Sequence, residues 1–520
     1  MAYLLLWIEG LTATVLVVAT IAALAGRCKR SLWRRLWPLI AAVVQFLVIA
    51  AVTVLAAFLL ARNIKPSWLF AYSLAFTIIY ILVAGFLLRR GFKSRDQAPA
   101  AKGWPRARLA VALGLVVTIW LVTFHLLDVT RQIELANVRI ETAGKALTIL
   151  PPRPLHHEDA TKLYEMSSEA LGDRGKLPNW LYRVDAPNFD PTTAEVNEFL
   201  QEKVPVMALL QQATARPGYY FYFDISNLTI SPVPELAPFR NLAKYLVLDA
   251  KSKALDGDTR GAMKALFAIK RIAEHLRRMP IIITYMVSVA VDKIATRGLE
   301  FVLAHTLTPQ DISPWPSDDT RSRKACFVDA FRLEEVIALQ WVSLIGYSYK
   351  KDSVLPCVLL PLLRVFLMPS DVATMRQKQN EIFKILAKPY HEFQQHFQAW
   401  KKSNAETPGG FYSSRHVSHH HWAYRARAVE SDAIQGLENL ALAASAYKAS
   451  HGEYPARLEE LVPAYIKQTP TDPFDGKPLK MKPVEGGICL FSTGLDYKKG
   501  PINFYLGRDA YEKYRVKPVQ

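Results

Sequence analysis

The stretch that most constrains this chain is Leu109 to Leu127, LAVALGLVVTIWLVTFHLL. It holds nineteen residues without a formally charged side chain. A helix of that length, at 1.5 Å per residue, is about as long as the ~30 Å hydrocarbon core of a bilayer is thick. The stretch is therefore predicted to span a membrane, and it separates an apolar amino-terminal part from a long remainder of ordinary globular composition.

Three further apolar runs precede this stretch, and each is long enough to span. The first lacks the basic flank and small-residue cleavage site of a signal peptide, so we expect it to remain in the mature protein. The sequence thus predicts four transmembrane helices, at about Leu4 to Ala25, Leu36 to Ala61, Trp68 to Leu88 and Leu109 to Leu127.

The net charge of +18 is concentrated beside these runs. Up to Arg108 there are fourteen Lys and Arg residues against Glu9 and Asp96, so +12 of the +18 lies there. A basic excess in short loops beside spans indicates orientation, and we expect no nucleic-acid partner. The first and third loops carry twelve Lys or Arg and the second loop two. This asymmetry predicts a multi-pass protein of the bacterial inner membrane, with the bilayer as a partner and the large domain on the extracytoplasmic, periplasmic side.

Beyond Leu127 the spacing is helical as far as Leu150, where Pro151 ends the predicted stalk. Residues 155 to 235 mix short helical pieces with turns. From residue 236 the pattern is plainly helical. The segment Phe239 to Leu255 is followed by the turn and cap residues Asp256-Gly257-Asp258. A second helix follows, because apolar residues such as Ala262, Leu266 and Ile269 recur three and four positions apart, and a third is expected after Pro280, at about Ile281 to Ala304. The first two helices resemble one hairpin of a tetratricopeptide-type repeat.

A long polar helix is predicted after Pro369, capped by Ser370 or Asp371 and reaching about Lys402. The apolar run Val354 to Met368 is not interpreted as a fifth span, because it is short and contains Arg364 and two prolines. A disulfide between Cys326 and Cys357 and two unpaired buried thiols both remain open from the sequence.

The densest group of metal-capable side chains is SSRHVSHHHW. Imidazoles three to five residues apart on a helix can share a zinc or nickel ion, whereas adjacent histidines point in different directions. The segment is therefore either a metal site or an exposed polar linker, and the candidate ligands are His416, His419, His420 and His421. No cofactor is otherwise expected.

Glu334 and Glu335 lie in the probable helix FRLEEVIALQW. A carboxylate in a groove can act as an acid or base, but a plain polar face is the simpler interpretation. Adjacent helix positions diverge by about 100°, so one of the two can be buried while the other is solvated. Because the chain has no recognisable catalytic motif, we assign no catalytic residue and lean against an enzyme.

The clearest pattern comes at the carboxyl end. An Ala-rich helical run, from Val429 to Ser450, leads into Pro-rich turns and short strands. The order and spacing of its pieces, over about 80 residues, resemble the globular domain of the major pseudopilin of type II secretion systems. The matching pieces are Tyr447, Gly452-Glu453-Tyr454-Pro455, Leu458, Leu461, Thr471-Asp472-Pro473-Phe474, Gly476-Lys477-Pro478 and Leu490-Phe491-Ser492-Thr493-Gly494-Leu495-Asp496.

The resemblance implies a helix packed on a small sheet. Its calcium loop is matched at Ser492 and Asp496, but Lys498 and Lys499 stand where oxygen ligands are needed. More than 300 residues separate the last predicted span from the module, so assembly into a pseudopilus is not expected.

These patterns together predict a membrane protein: four N-terminal transmembrane α-helices, a mainly α-helical extracytoplasmic domain and a small C-terminal α+β module. The predicted boundaries are 1–127 for the anchor, 128–235 for the stalk and mixed region, 236–402 for the helical domain, 403–428 for the His-containing linker and 429–520 for the module. The function predicted is an envelope scaffold that binds another protein. The alternatives are a membrane-bound extracytoplasmic enzyme, metal-dependent if the histidine cluster binds an ion, and an accessory subunit of a secretion or transport assembly.

Overall fold

The computed structural model describes residues 128–172, 177–221, 224, 235–306, 323–345, 368–406, 419–494 and 500–516. The chain forms two compact units, Met1–Arg139 with Val342–Asp371, and Ile140–Trp341 with Val372–Gln520. In the first unit the described residues, 128–139, 342–345 and 368–371, are all helical. The second unit contains the helical domain and the carboxyl-terminal module.

The described helices, in chain order, begin with α1 over residues 128–149, which stops before Pro151 as expected. A 3-10 helix at Asn179–Arg183 follows α2, and a second one at Leu458–Leu461 follows α11. The remaining long helices are α2 (Thr161–Leu171), α3 (Ala194–Glu202), α4 (Val204–Ala215), α5 (Ala237–Leu255), α6 (Thr259–Arg278), α7 (Ile282–His305), α8 (Arg323–Ile345), α9 (Met368–Leu386), α10 (Tyr390–Glu406) and α11 (His419–His451).

Helices α5, α6 and α7 pack on one another and form the centre of the helical domain. Asp258 caps α6 as predicted, because its side chain accepts a hydrogen bond from the Gly261 amide. On α7, Gly298 permits a close approach: a Cβ there would lie 2.4 Å from Val247 of α5 and 2.6 Å from Leu266 of α6. The absence of a side chain at this position therefore sets how tightly the three helices pack.

The long polar helix predicted as far as Lys402 is wrong, because the structure has two helices there, α9 and α10. The break falls at Pro389, which has no amide hydrogen to continue the helical ladder. The Phe393 amide instead bonds to the Pro389 carbonyl at the start of α10. This break lets the aromatic face of α10, with Phe393 and Phe397, join a second buried cluster with Phe327 of α8.

The carboxyl-terminal module consists of α11 and a three-stranded antiparallel sheet in the order β1-β2-β3. Its strands are β1 (Lys480–Val484), β2 (Gly487–Ser492) and β3 (Ile502–Leu506). The short helix α12 (Arg508–Tyr511) and a π-helical turn (Glu512–Val516) follow β3. One hydrophobic core runs from the amino-terminal helices into this sheet, and its fully buried members include Leu181, Leu246, Leu266, Leu440 and Leu490. The module therefore shares its core with the helical domain.

The predicted fold class, a membrane protein with four N-terminal transmembrane helices, is corrected here. In the part of the chain that the structure describes, which is mostly helical, no helix is both long and apolar enough to cross a membrane. Helix α7 illustrates the reason: it has 24 residues, but Asp292, Lys293, Arg297 and Glu300 interrupt its apolar sequence. The four runs predicted as spans, within residues 1–127, lie outside the described residues. The described architecture is mainly α-helical with one small antiparallel sheet.

Candidate functional site

The predicted metal ligands lie at the boundary of the described structure. His416 lies outside the described residues, and His419, His420 and His421 form the first turn of α11. Within the described ranges, no three His, Cys, Asp or Glu side chains are grouped so that they could hold a metal ion. The histidine site stays a prediction. Of the two cysteines considered for a bridge, Cys326 is buried in α8 and Cys357 lies outside the described residues.

Glu334 and Glu335 differ in what they contact. The Glu334 carboxylate accepts a hydrogen bond from the backbone amide of Ile282, the first residue of α7, while burial raises the pKa of Glu334. Burial also raises the pKa of Glu335, and Lys145 and Arg332 oppose that rise. Glu334 thus satisfies an amide that has no partner within its own helix. Its role is the positioning of α7 against α8.

The described beginning of the segment matched to a calcium loop, Ser492 to Gly494, contacts a buried carboxylate. Asp472 is fully buried and accepts four hydrogen bonds. The donors are the Ser492 hydroxyl at 2.9 Å, the Thr493 hydroxyl at 3.0 Å, and the amides of Thr493 at 2.8 Å and Phe474 at 3.0 Å. Asp496 lies outside the described residues. Ser492, which the resemblance marks as a ligand position, therefore serves to fasten the 472–476 turn to the end of β2.

A set of buried charges joins α11 to the helical domain. We call it the buried charge network, and its members are Lys270, Arg277, Asp292, Arg323 and Glu438. Lys270 of α6 donates to both carboxylate oxygens of Glu438 on α11, each at 2.7 Å. Asp292 of α7 accepts from Arg277, and from Arg323 at 2.6 Å, and lies 3.4 Å from the Lys270 ammonium. The network therefore contacts four helices at once: α6, α7, α8 and α11.

Two hydroxyls complete this arrangement. Thr296 of α7 donates to Glu438 at 2.5 Å, and Arg323 donates to the Ser431 hydroxyl of α11 at 2.8 Å. Burial alone would raise the pKa of Asp292, but Arg323, Lys270 and Arg277 together hold it far below its usual range. Asp292 is thus an ionised partner of three cations, and Glu438 is bonded to Lys270 and Thr296 of the same chain. Their chemistry is suited to holding helices together, since a buried charge is tolerated where it is paired and hydrogen-bonded.

A second ionic contact joins α7 to β3 and to the π-helical turn that follows it. Glu300 is buried and accepts from Arg515 at 2.9 and 3.0 Å and from the Tyr505 amide of β3 at 2.7 Å. Burial raises the pKa of Glu300, and Arg515 opposes this rise. The Arg515 guanidinium also lies over the Tyr505 ring, 5.3 Å from its centroid. The sheet is therefore fixed to α7 through a side chain that contacts its edge strand.

A buried histidine fastens the amino-terminal helices to the same domain. The Tyr164 hydroxyl of α2 lies 2.8 Å from Nδ1 of His275, and Nε2 of that ring lies 3.0 Å from the Arg216 carbonyl. Because a carbonyl can only accept, Nε2 carries the proton and Nδ1 accepts from the tyrosine. Burial lowers the pKa of His275 to about 3, with Arg271 and Arg278 adding to the effect. This imidazole is neutral in the folded protein.

A cleft of about 330 Å³ lies beside the 3-10 helix Asn179–Arg183. Half-buried aromatic side chains line it together with exposed polar ones. We call it the aromatic cleft, and its side chains are those of Asn179, Trp180, Arg183, Asn188, Phe189 and Asp190. The Trp180 indole donates to Glu195 at 2.6 Å and contacts Phe199 edge to face, with ring centroids 5.2 Å apart. These two contacts fix the ring orientation, so the aromatic wall is preformed.

The aromatic cleft is supported from behind by Lys251 of α5, which is 1% exposed. Its ammonium donates to the carbonyl of Ala186, another lining residue, at 3.0 Å. It also lies 4.8 Å from the Phe301 ring centroid and 5.9 Å from that of Phe189. Burial lowers the pKa of Lys251 to about 8, and the nearby Asp185 carboxylate opposes the shift. The loop that carries Phe189 is thereby held against the core.

Sequence reasoning did not find the buried charge network or the aromatic cleft. Lys270 and Glu438 are 168 positions apart, and no local pattern connects them. The cleft lies in the part of the chain where Pro, Gly and Asn turns obscured any periodicity. One signal was present, since Asp292 and Glu300 interrupt the apolar sequence of α7 and buried charges of that kind require partners.

The chain matches no protein-family model, no curated protein and no solved structure. The likeness of the carboxyl-terminal module to pseudopilins therefore remains a prediction from the residues quoted above.

Proposed function

We propose that this protein is a non-catalytic scaffold that binds a helix of another protein along one face of α1. The face is formed by Ile140, Gly144 and Leu147, which we call the apolar strip. Ile140 is 71% exposed and Leu147 is 63% exposed, and these two exposures carry the proposal. Large apolar side chains four and three positions from a shared glycine lie on one side of a helix, where a second helix can cover them.

The neighbourhood of the apolar strip favours a helical partner. A Cβ added at Gly144 would meet nothing within 4 Å, so a partner helix can approach the backbone closely there. Glu141 and Lys145 form an exposed ion pair at 2.9 Å beside the strip, and Arg376 also contacts Glu141. An amphipathic helix with apolar anchors and charges at its edges fits such a surface.

The buried carboxylates also support a binding function rather than a catalytic one, because each is already bonded to another group of this chain. Glu438, Asp292, Glu300 and Glu334 each contact a cation or a backbone amide of this chain. Their contacts position helices and a strand. A scaffold needs this rigidity, because a preformed surface loses less entropy on binding.

Site-specific photocrosslinking in cells tests the proposal. A photoreactive residue at Leu147 should give one discrete adduct with a partner protein, and the same residue at the exposed control position Arg153 should give none. Introducing Leu147→Glu should abolish the adduct formed from position 140. Equal adducts at positions 147 and 153, an adduct that withstands Leu147→Glu, or a mass of two copies of this chain would each refute the proposal.

We propose the bacterial envelope as the location, with residues from 128 onward outside the cytoplasm. The support is the uneven placement of Lys and Arg before Arg108 and the pseudopilin-like pattern at the carboxyl end. Cysteine labelling with a membrane-impermeant reagent tests it: a cysteine at Lys498 should react in intact spheroplasts and one at Lys93 should not. The opposite result would place the large domain in the cytoplasm.

A further inference from the structure

The aromatic cleft and the apolar strip are separate surfaces, and the chemistry of the cleft is different. Its walls carry two aromatic rings, while its rim carries two amides, a guanidinium and a carboxylate. Asn179, Arg183, Asn188 and Asp190 are exposed. Asp190 accepts two hydrogen bonds from Thr192 on one oxygen, Oδ1, at 2.9 and 2.7 Å. Its second oxygen keeps acceptor capacity for a ligand.

The rim carries one positive and one negative side chain, which disfavours a ligand with a net charge. Arg183 attracts anions, whereas Asp190, whose pKa is lowered by its hydrogen bonds from Thr192 and which is therefore ionised, repels them. A neutral ligand meets no such conflict. The amides of Asn179 and Asn188 each offer a donor and an acceptor, so the ligand that satisfies this rim must also do both.

The walls require an apolar face on the same ligand. The Trp180 N–H is already used by Glu195, so the indole offers its ring and not a hydrogen bond. The ring centroids of Phe189 and Trp180 are 6.0 Å apart, the ring planes are inclined at 33°, and both rings line the cleft. A small ligand with C–H groups on one face and hydroxyls around its edge matches both the walls and the rim.

The volume of the cleft favours a small ring over a peptide segment as its ligand. At about 330 Å³, the cleft is near the lower end of the ~300–1,000 Å³ range of small-molecule sites. An extended peptide requires a longer groove or a free strand edge, and the cleft lies beside a 3-10 helix of five residues. Lys251 holds the loop that carries Phe189, and Phe199 packs against the Trp180 ring.

From this geometry we infer that the aromatic cleft binds a neutral sugar ring, one pyranose unit of an oligosaccharide. The ring would stack its C–H face on Trp180 and Phe189, and its hydroxyls would bond to Asn179, Arg183, Asn188 and Asp190. This inference does not rest on the proposed scaffold function, because it concerns another surface and another class of ligand.

Binding of two neutral oligosaccharides to the full chain tests the inference. The probes are tri-N-acetylchitotriose and maltotriose, followed by saturation-transfer NMR and by tryptophan fluorescence. At least one should bind saturably, with the strongest transfer to ring C–H protons. Asn188→Ala should weaken binding about 3- to 10-fold, as the loss of one hydrogen bond does, and Trp180→Ala should abolish it.

Gln212→Ala, an exposed amide on α4, is the matched control and should leave the affinity unchanged. Circular dichroism shows whether Trp180→Ala folds. If that variant does not fold, Asn188→Ala and Arg183→Ala, both at exposed positions, decide the outcome. The inference fails if neither sugar binds, if the variants bind like wild type, or if a hexaproline peptide displaces the sugar signal or binds in its place.

Discussion

In the buried charge network, Asp292 and Glu438 are surrounded by cations of their own chain, whereas in the aromatic cleft Asp190 and Arg183 lie exposed on a rim. Both regions combine carboxylates with basic side chains. The network lies where four helices meet. Its charged groups are buried there and are bonded to one another in place of water. The cleft keeps its polar groups in contact with solvent. The same residue types are thus structural in one region and available for a ligand in the other, and burial makes the difference.

The comparison is tested most strongly at Glu438. Glu438→Ala should lower the free energy of unfolding by about 3–5 kcal/mol, because the buried Lys270 then loses its two closest contacts and Thr296 loses its acceptor. Urea unfolding followed by far-ultraviolet circular dichroism measures this loss. Glu430→Ala is the matched control, since Glu430, also on α11, pairs with Lys293 of α7 at 2.7 Å but is 25% exposed. Its cost should stay below about 1 kcal/mol.

Replacing both partners sharpens the same test. The double variant Lys270→Met with Glu438→Leu removes the ion pair and fills its volume with apolar atoms. Its stability should be close to wild type or above it, because the desolvation of two charges is also removed. A double variant as unstable as Glu438→Ala would show that the stability comes from the pair itself and not from avoiding a poorly paired Lys270 charge.

The next largest effect is the pH dependence due to His275. The pKa of this imidazole is about 3 in the folded protein, below the ordinary value of about 6.5 in the unfolded chain. Between about pH 6.5 and pH 3 the unfolded state therefore binds a proton that the folded state does not bind. In this range the free energy of unfolding falls by about 1.4 kcal/mol for each unit by which the pH is lowered. The contribution is fully present above about pH 6.5 and is lost on acidification toward pH 3.

The difference between wild type and His275→Gln isolates this contribution from the carboxylates. Unfolding free energies at about pH 7 and about pH 5 should show roughly 2 kcal/mol more loss in wild type than in the variant. Tyr164 and the Arg216 carbonyl remain in both proteins, so the pH slope reports the imidazole alone. Parallel pH profiles would mean that the pKa of His275 is the same in the folded and the unfolded protein, and would contradict its burial as a neutral ring.

A smaller effect is expected at the adjacent pair Glu334 and Glu335. Glu334→Ala removes the acceptor for the Ile282 amide at the start of α7 and should cost about 1 kcal/mol, as the loss of a helix cap does. Glu335→Ala should change stability by less than about 0.5 kcal/mol, because its partners are longer-range charges. The two thermal midpoints, measured side by side, test the assignment, and equal shifts would contradict it.

The smallest expected effect is at the cleft. Arg183→Ala and Asn188→Ala should each change the unfolding free energy by less than about 0.5 kcal/mol, because both side chains are exposed. The same urea unfolding experiment checks this. A cost above 1 kcal/mol at either position would show that the rim is structural, and the contrast with the network would no longer hold.

The elements that the sequence revealed are those with local causes. The stripe of Ala262, Leu266 and Ile269 predicted α6, and Asp258 and Pro280 marked the ends of neighbouring helices. Pro389 was an equally local signal. The helical spacing that continues on both sides of it suggested one helix where the chain forms two.

The features that the sequence did not reveal depend on contacts between distant positions. Glu438 looked like one charge in an Ala-rich helix until α11 was placed against α6 and α7. Glu334 and Glu335 are both half-buried, and which of them caps α7 depends on where α7 begins relative to α8. The aromatic cleft depends on a loop held by Lys251, 65 positions from Ala186, and no periodic pattern contains that information.

The contact between Glu300 and β3 has a consequence for association between copies. A strand at the border of a sheet normally offers its free amides to any extended segment that comes near. Here the Tyr505 amide is already bonded to a carboxylate from α7, and Arg515 lies across the same stretch. An intruding strand would have to displace a buried ion pair before it could add to this side, so the module is protected from growing into a continuous sheet with its neighbours.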